Sequence, residues 1–551
     1  MNQRDASASV SGMSVRPCLA GAEPEGNVVL WEGTQAMVER LSPRLTPLAA
    51  QFGLQPFYGD IHNHCDISYG HGSLPRALKR ARRQLDFVSV TGHAHWPDMP
   101  VDDPRVAHIV DFHVKGFAKL DRGWLAHFDD LAQADEPGIF TVFPGYEIHS
   151  FAHGDYTIVY RDLEPQPWIK ADTPAELHRR LRDQLGNGAF AFPHHIGYRL
   201  GARGINWASF NEDLSPVLEL MSMHGCSEAS LTDRPFLHSM GPSDGLSTVR
   251  AGLDRGFRFG FLGNTDHHSG YPGSYGHGRS IVYATENSRA ALWEALYQRR
   301  TNALTGDNSH LFFAIGNTPQ GGLVSSPSEP MLAIEAVAGS FIDYIDVIRN
   351  GALVVRVTPD LEPSPIDPGA DEIETLLVLE LGWGARGQFH DWQGSIELTG
   401  GEILAVEPRL RGPEIVSPLE GQGDEADNDR INRDGNRIDF AIRSFANPNN
   451  STSSTQAIAA RIRIDPDARF VLKLDGQTFE TSATRLFAGA LSGNLGPIDS
   501  PAFRLHPLPK PHQWQWRGAI PINPMHEGDW LYVRMRQANG QWNWASPIFS
   551  A

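Results

Sequence analysis

Five short polar clusters, GDIHNH, VTGHAH, PGYEIH, FPHH and NTDHH, each follow directly on a run with strand character. Few architectures place ligand-type side chains so regularly at the same point of successive strands. In parallel α/β sheets and barrels, the C-terminal strand ends form the face on which chemistry is done. The segments between the clusters agree with this. SLPRALKRARRQL carries Leu74, Leu78, Ala81 and Leu85 at helical spacing behind Ser73 as an N-cap, and the buried strand DFVSVTGH comes next. GIFTVFPGYE reads as a further strand. TPAELHRRLRDQLGNG has Thr173 and Glu176 in capping-box positions with Pro174 between them, closes on glycines, and leads into AFAFPHH. VLELMSMH and, after another short helix, FRFGFLGNTDHH repeat the pattern. The alternation predicts parallel strands joined by crossover helices, closed as a barrel or open as a doubly wound sheet.

Histidine is concentrated in the same part of the chain: of 23 histidines, 19 fall between His62 and His310. Beyond His310 the texture changes to alternating strands such as MLAIEAVAG, YIDVIRNG, TLLVLELGWG and WLYVRMRQANG with turn residues between them, which reads as a β-sandwich-like region. The expected organisation is therefore a polar tail and short helix over 1–50, a metal-binding α/β part over 51–310, and a β-rich domain over 311–551. Within the last, EGQGDEADNDRINRDGNR begins an acidic, exposed loop spanning about 420–452; its spacing and glycines do not match a calcium loop. The β-rich part holds only four histidines and no comparable cluster, so it is expected to contribute no catalytic group.

A formal charge of −18 without any Lys/Arg-rich block argues against general nucleic-acid binding and against an anionic membrane surface. Cys18, Cys65 and Cys226 are odd in number and far apart, which suits a reducing compartment better than a disulfide framework. The opening residues carry neither a basic start with an apolar run nor a membrane-spanning stretch, so the expectation is a soluble, cytoplasmic protein. Nothing in the sequence sets its oligomeric state.

His62 and His64 are two residues apart at a strand end, so their imidazoles project to one side and can share a cation. His93, Glu147, His194 and the Asp266-His267-His268 run follow later strands and supply nitrogen and oxygen donors for more than one ion. Neutral imidazoles with carboxylates suit Zn²⁺, Mn²⁺ or Fe²⁺, and a carboxylate able to bridge suits a multinuclear centre. His95, His267 and His224 lie near the rim as candidates for leaving-group protonation or substrate contact. Arg203, Arg199 and Arg279 lie in loops after these strands and could grip an anionic group. Cys65 has no base paired to it and is not read as a nucleophile. The tryptophans of WQW and WNWASP read as core residues of the β-rich part rather than as a stacking surface.

The ordered set GDIHNH, HGSLPRALKRAR, LDFVSVTGH, PGYE, FPHH and NTDHH resembles the PHP (polymerase and histidinol phosphatase) superfamily over about 250 residues. ALWEALYQRRTNALTG and DWLYVRMRQANGQWNWASPIF look like a branch of it with a β-rich C-terminal extension. The resemblance implies a distorted TIM-like (β/α)7 barrel with up to three divalent ions (Mn, Zn or Fe). It implies nine ligands: His62, His64, His71, His93, Glu147 as a bridge, His153, His194, Asp266 and His268. His149 competes with His153, and His195 with His194. The function expected on these grounds is metal-dependent hydrolysis, foremost of a small anionic or phosphorylated substrate, with a metal-bridging hydroxide as nucleophile. Cleavage of a carboxylic ester, lactone or amide at the same centre is the alternative, and a non-catalytic, metal-bound binding protein is another.

Overall fold

The computed structural model describes residues 46–234, 241–325, 330–359, 372–413, 429–446 and 455–551, all within one compact unit, Val38–Ala551. The expected tail, the short helix near 35–40, Cys18 and the acidic residues 420–428 lie outside the described residues. Part of the expected acidic loop is described and is not a loop. Arg430–Asp434 and Arg437–Phe445 pair as an antiparallel hairpin.

In chain order the first part comprises α1 (Pro47–Ala50), β1 (Gln55–Asp60), α2 (Leu74–Arg82), β2 (Phe87–His95), α3 (Ala107–Ala134), β3 (Thr141–Ile148) and β4 (Asp155–Tyr160). It continues with α4 (Pro174–Leu185), β5 (Ala189–His194), β6 (Val217–Ser222), β7 (Gly225–Cys226), α5 (Val249–Leu253), β8 (Gly260–Gly263), β9 (Arg279–Ala284), α6 (Arg289–Tyr297) and β10 (Thr301–Leu304). Local chemistry explains the helix ends. At the start of α4, Thr173 Oγ1 accepts from the Glu176 amide at 3.2 Å. The Glu176 carboxylate accepts from the amide of Asp172, not Thr173, at 3.2 Å. The helix stops at Gly186, whose φ of +58° an L side chain rarely adopts. Helix α2 buries Leu74, Ala77, Leu78 and Ala81, the face its spacing predicts. The 28-residue α3 is an element that the sequence reading leaves out; it buries Gly116, Leu120, Trp124, Phe128 and Leu131 along one side.

Strands β1, β2 and β3 are parallel neighbours, and β6 and β8 form a second parallel pair. The remaining pairings depart from a regular (β/α)7 pattern. β3–β4, β4–β5, β1–β9 and β9–β10 are antiparallel. Only residues 149–154 separate β3 from β4, far short of the dozen or so that a parallel crossover needs. The ladder does not close. β6 and β8 belong to a separate sheet, although Phe57, Phe87, Phe143, Phe192, Val217, Leu262 and Val282 from both sheets share one core. A TIM barrel is therefore not what the strand pairing gives; the architecture is a strand-rich, mixed α/β one.

The main sheet runs on past β10, which pairs with Trp542–Ala545, and through it to Trp530–Gln537 and Ile342–Arg349. Phe313 and Ile334 of a four-stranded sheet pack with Ile345 and Val533 of this extension. An eight-stranded antiparallel sheet is built on the long strands Phe389–Arg409 and Gln456–Leu474. Trp514, Trp542 and Trp544 are buried core side chains. Among the described residues no helix is long and apolar enough to cross a membrane.

Candidate metal centre

The strand ends are stitched together before any ligand is placed. The Asp60 carboxylate at the end of β1 accepts from the amides of His62 (3.2 Å), Thr265 (3.2 Å) and Gly273 (2.8 Å) and from Thr265 Oγ1 (2.6 Å). This carboxylate ties the residues after β1 to the loop after β8. Gly145 lets β3 lie between its neighbours: a Cβ there would sit 2.4 Å from Ser89 Oγ and 3.0 Å from the Ile158 carbonyl. Two residues later along β3 comes Glu147.

Six histidines share one arrangement. Each has Nδ1 tied to an outer partner: His62 to Glu219 Oε2 (2.8 Å), His64 to the Thr91 carbonyl (2.5 Å), His93 to Ser68 Oγ (3.0 Å), His194 to Thr157 Oγ1 (3.0 Å), His195 to Asp155 Oδ2 (3.0 Å) and His268 to the Asp266 carbonyl (2.9 Å). For at least five of the six, Nε2 faces a carboxylate. Glu147 Oε2 lies 3.3 Å from His62, 3.2 Å from His64 and 3.6 Å from His93, and Glu147 Oε1 lies 3.1 Å from His194 and 2.9 Å from His149 Nδ1. Asp266 Oδ1 lies 2.9 Å from His64 and 3.4 Å from His62, while Oδ2 meets His195 at 2.7 Å and His224 at 3.1 Å. All of these side chains are buried.

This donor set fits divalent cations. The Nε2 atoms of His62 and His64 are only 3.3 Å apart, and with each Nδ1 proton committed outward, two neutral rings would present lone pairs to each other and to two carboxylates. A cation, or protons in its place, must satisfy them. Fixing a ring through its outer nitrogen is how proteins orient metal-binding imidazoles. Burial and neighbouring imidazoles push His93 well down and His194 and His268 to about 3, which keeps these rings neutral. Burial opposes charge on His62, His64 and His195, but the carboxylates around them win and raise all three, His195 to about 9. Burial likewise opposes charge on Glu147 and Asp266, and the surrounding imidazoles more than offset it, holding both well below the usual carboxylate range. Several His/Glu/Asp triads have donor atoms within 4.8 Å of one another, among them His62-Glu147-His194, His62-His64-Asp266 and His64-His93-His268. Backbone strain marks the same place: His195, Arg203 and Asp266 are non-glycine residues at φ of 51°, 71° and 51°.

The fold brings His62, His64, His93, Glu147, His194, Asp266 and His268 together. His149 and His195 both join them, so the tandem histidines contribute two rings and not one. His153 instead bonds Ser209 Oγ through Nδ1 at 3.0 Å, and His71 meets the site through its backbone, whose amide donates to the His268 carbonyl at 2.7 Å. His95 pairs with the exposed Asp172 at 2.9 Å. His267 turns away to stack on His277, with ring centroids 5.5 Å apart. Arg203 reaches the site, donating to Asp155 Oδ2 (2.5 Å) and to His149 Nδ1 (2.7 Å). Arg199 is exposed, and Arg279 is buried on Gly273, Asn308 and Gln84. Cys65 is buried. Sequence reading passes over Glu219, Asp155 and Tyr69. An acidic residue inside the apolar run VLELMS was the available signal for Glu219; Asp155 and Tyr69 carry none.

A cavity of ≈ 390 Å³ opens over the cluster, lined by Glu147, Asp266, His93, His195, His268 and Arg203 on one side and by Tyr69 and the first turns of α3 on the other.

No protein-family model matches the chain. Uncharacterised proteins of Chlamydia muridarum, Chlamydia trachomatis and Chlamydia pneumoniae are similar to it at 31%, 32% and 29% identity over 174, 174 and 173 residues. In each case the similarity spans 28% of this chain and 28% of the relative's length. Among solved structures, a two-domain protein containing a predicted PHP-like metal-dependent phosphoesterase from Bacteroides vulgatus is similar at 15% identity and a TM-score of 0.32, covering 82% of this chain and 100% of its own. PsfC from Pseudomonas syringae is similar at 16% identity and a TM-score of 0.26, over 41% of this chain and 82% of its own. At these scores neither superposition carries an argument about fold or activity.

Proposed function

We propose that the chain is a metal-dependent hydrolase, foremost a phosphoesterase, with up to three divalent ions (Mn, Zn or Fe) held by His62, His64, His93, Glu147, His149, His194, His195, Asp266 and His268. The observation that carries this reading is the common posture of six imidazoles, Nδ1 of each anchored outward and Nε2 of at least five turned toward two ionised carboxylates. Bound cations would supply Lewis acidity and a water acidic enough to ionise near neutral pH. The chain's own groups do the rest. Glu147 faces five imidazoles through its two oxygens and so sets how closely positive charges sit together. Arg203, held by Asp155, places a guanidinium at the cavity wall for an anionic substrate oxygen. Tyr69, 3.0 Å from His149 Nε2, keeps that ring in place from the cavity side.

A second reading is cleavage of a carboxylic ester, lactone or amide. It is favoured by the poverty of anion-binding groups: Arg203 is already paired, Arg199 is exposed and Arg279 is committed elsewhere. Elemental analysis of protein purified without chelator and reloaded with Mn²⁺ or Zn²⁺ tests the metal centre, and more than one ion per chain is expected. Well under one ion per chain after reloading would sink both readings. Mn²⁺-stimulated turnover of phosphate esters, set against carboxylic esters and lactones, decides between them.

A further inference from the structure

The cavity is larger than an inorganic anion needs, and its outer wall differs in chemistry from its floor. Counting even about 30 Å³ for each heavy atom, a water's share of liquid volume, a five-atom phosphoryl group takes less than half of the ≈ 390 Å³. The remainder faces Tyr69, Ile109 and Phe112, with His108 and His113 beside them. This wall comes from Tyr69, further along the loop that carries His62 and His64, and from the start of α3, which bears no proposed ligand. Two of its polar atoms are engaged. The Tyr69 hydroxyl meets His149, and His113 Nδ1 donates to the Ile109 carbonyl at 2.7 Å. The Tyr69 ring is itself stacked 3.7 Å from His93 and lies 4.8 Å from Phe112, so the apolar surface open to an aromatic group is that of Ile109 and Phe112 beside it. Ile109 is 40% exposed without a ligand, an apolar cost that a bound ring would remove.

We propose that the site selects phosphate esters whose alcohol part is an apolar, aryl-type group seated on Ile109 and Phe112 beside Tyr69. This rests on the phosphoesterase reading, but its test is a binding measurement that needs no turnover. Phenylphosphonate and methylphosphonate are titrated calorimetrically into the full, metal-loaded chain and into the Ile109→Ala and Phe112→Ala variants, with circular dichroism confirming the fold of each. Phenylphosphonate should bind at least about tenfold more tightly than methylphosphonate, and each variant should bring the two affinities to within about threefold. Ile109 is exposed enough that its truncation leaves folding intact even if Phe112→Ala does not. Equal affinities, no binding of either ligand, or a preference that both variants retain would overturn the proposal. A preference that collapses in the variants while no phosphate ester is hydrolysed would instead uphold the apolar subsite and overturn the assigned reaction.

Discussion

Glu147 is the residue on which most of the site converges. Its two oxygens face His62, His64, His93, His194 and His149, and among the described carboxylates Asp266 meets as many rings. Glu147→Gln keeps the shape and removes the charge where cations would be concentrated, so metals should be lost as a group and not singly. We expect metal content to fall and kcat to drop by at least ~100-fold, the scale of losing a key electrostatic stabiliser. Circular dichroism should be unchanged, because the side chain lies at a strand end. His95→Ala, which breaks only the pair with Asp172, should leave the metal content as it was. Full occupancy with near-normal kcat in Glu147→Gln would refute the bridging role.

At the scale of elements, α3 is what turns an open cluster into a cavity. Its buried stripe docks on the sheet, and Gly116 in that stripe faces Tyr69, where an added Cβ would lie 2.4 Å from Cδ1. A glycine inside a helix costs about 1 kcal/mol against alanine, so this close approach is bought at the helix's expense. Gly116→Ala should therefore behave opposite to its helix propensity. Overpacking against a ring held between His93 and Phe112 should cost about 1–3 kcal/mol, leaving a net loss of stability. Thermal unfolding checks this, together with phenylphosphonate affinity, which should weaken as Tyr69 shifts. A raised Tm with unaltered affinity would mean that the helix does not pin the tyrosine.

At the scale of the whole molecule, the histidine-bearing and β-rich parts share a sheet. The cavity draws on residues between Tyr69 and His268. Yet β10 takes Trp542–Ala545 as its neighbour, and Glu228, just beyond His224, accepts from Tyr532 Oη (2.5 Å), Arg534 Nη1 (3.0 Å) and Trp544 Nε1 (2.9 Å). Ending the chain at Asp307 would open the edge of β10 and strip a buried carboxylate of all three partners. Such a chain should be aggregated or lack cooperative unfolding, and should not hold metals. A monomeric, cooperatively folded product with full metal content by size exclusion, calorimetry and elemental analysis would show that the extension is dispensable.

Much of this was legible in the chain. Apolar runs ending in histidine and carboxylate clusters located the ligand-bearing strand ends, because alternation along a strand sends His62 and His64 to one side whatever the rest of the fold does. Thr173, Pro174 and Gly186 marked the limits of α4 for equally local reasons. What local spacing could not supply is convergence. Whether His149 or His153, and His194 or His195, faces the centre depends on how a tight β3–β4 turn and a left-handed backbone at His195 redirect neighbouring rings. Glu219 and Asp155 matter only because separate strands bring them behind His62 and His195. The parallel pairing expected before His310 holds among β1, β2 and β3 and between β6 and β8, and fails for β4, β5, β9 and β10, because an apolar run carries no record of which way its neighbour points. The bond between β10 and a strand more than 200 residues later is of the same kind: it exists in the packing of the folded chain, and no stretch of sequence contains it.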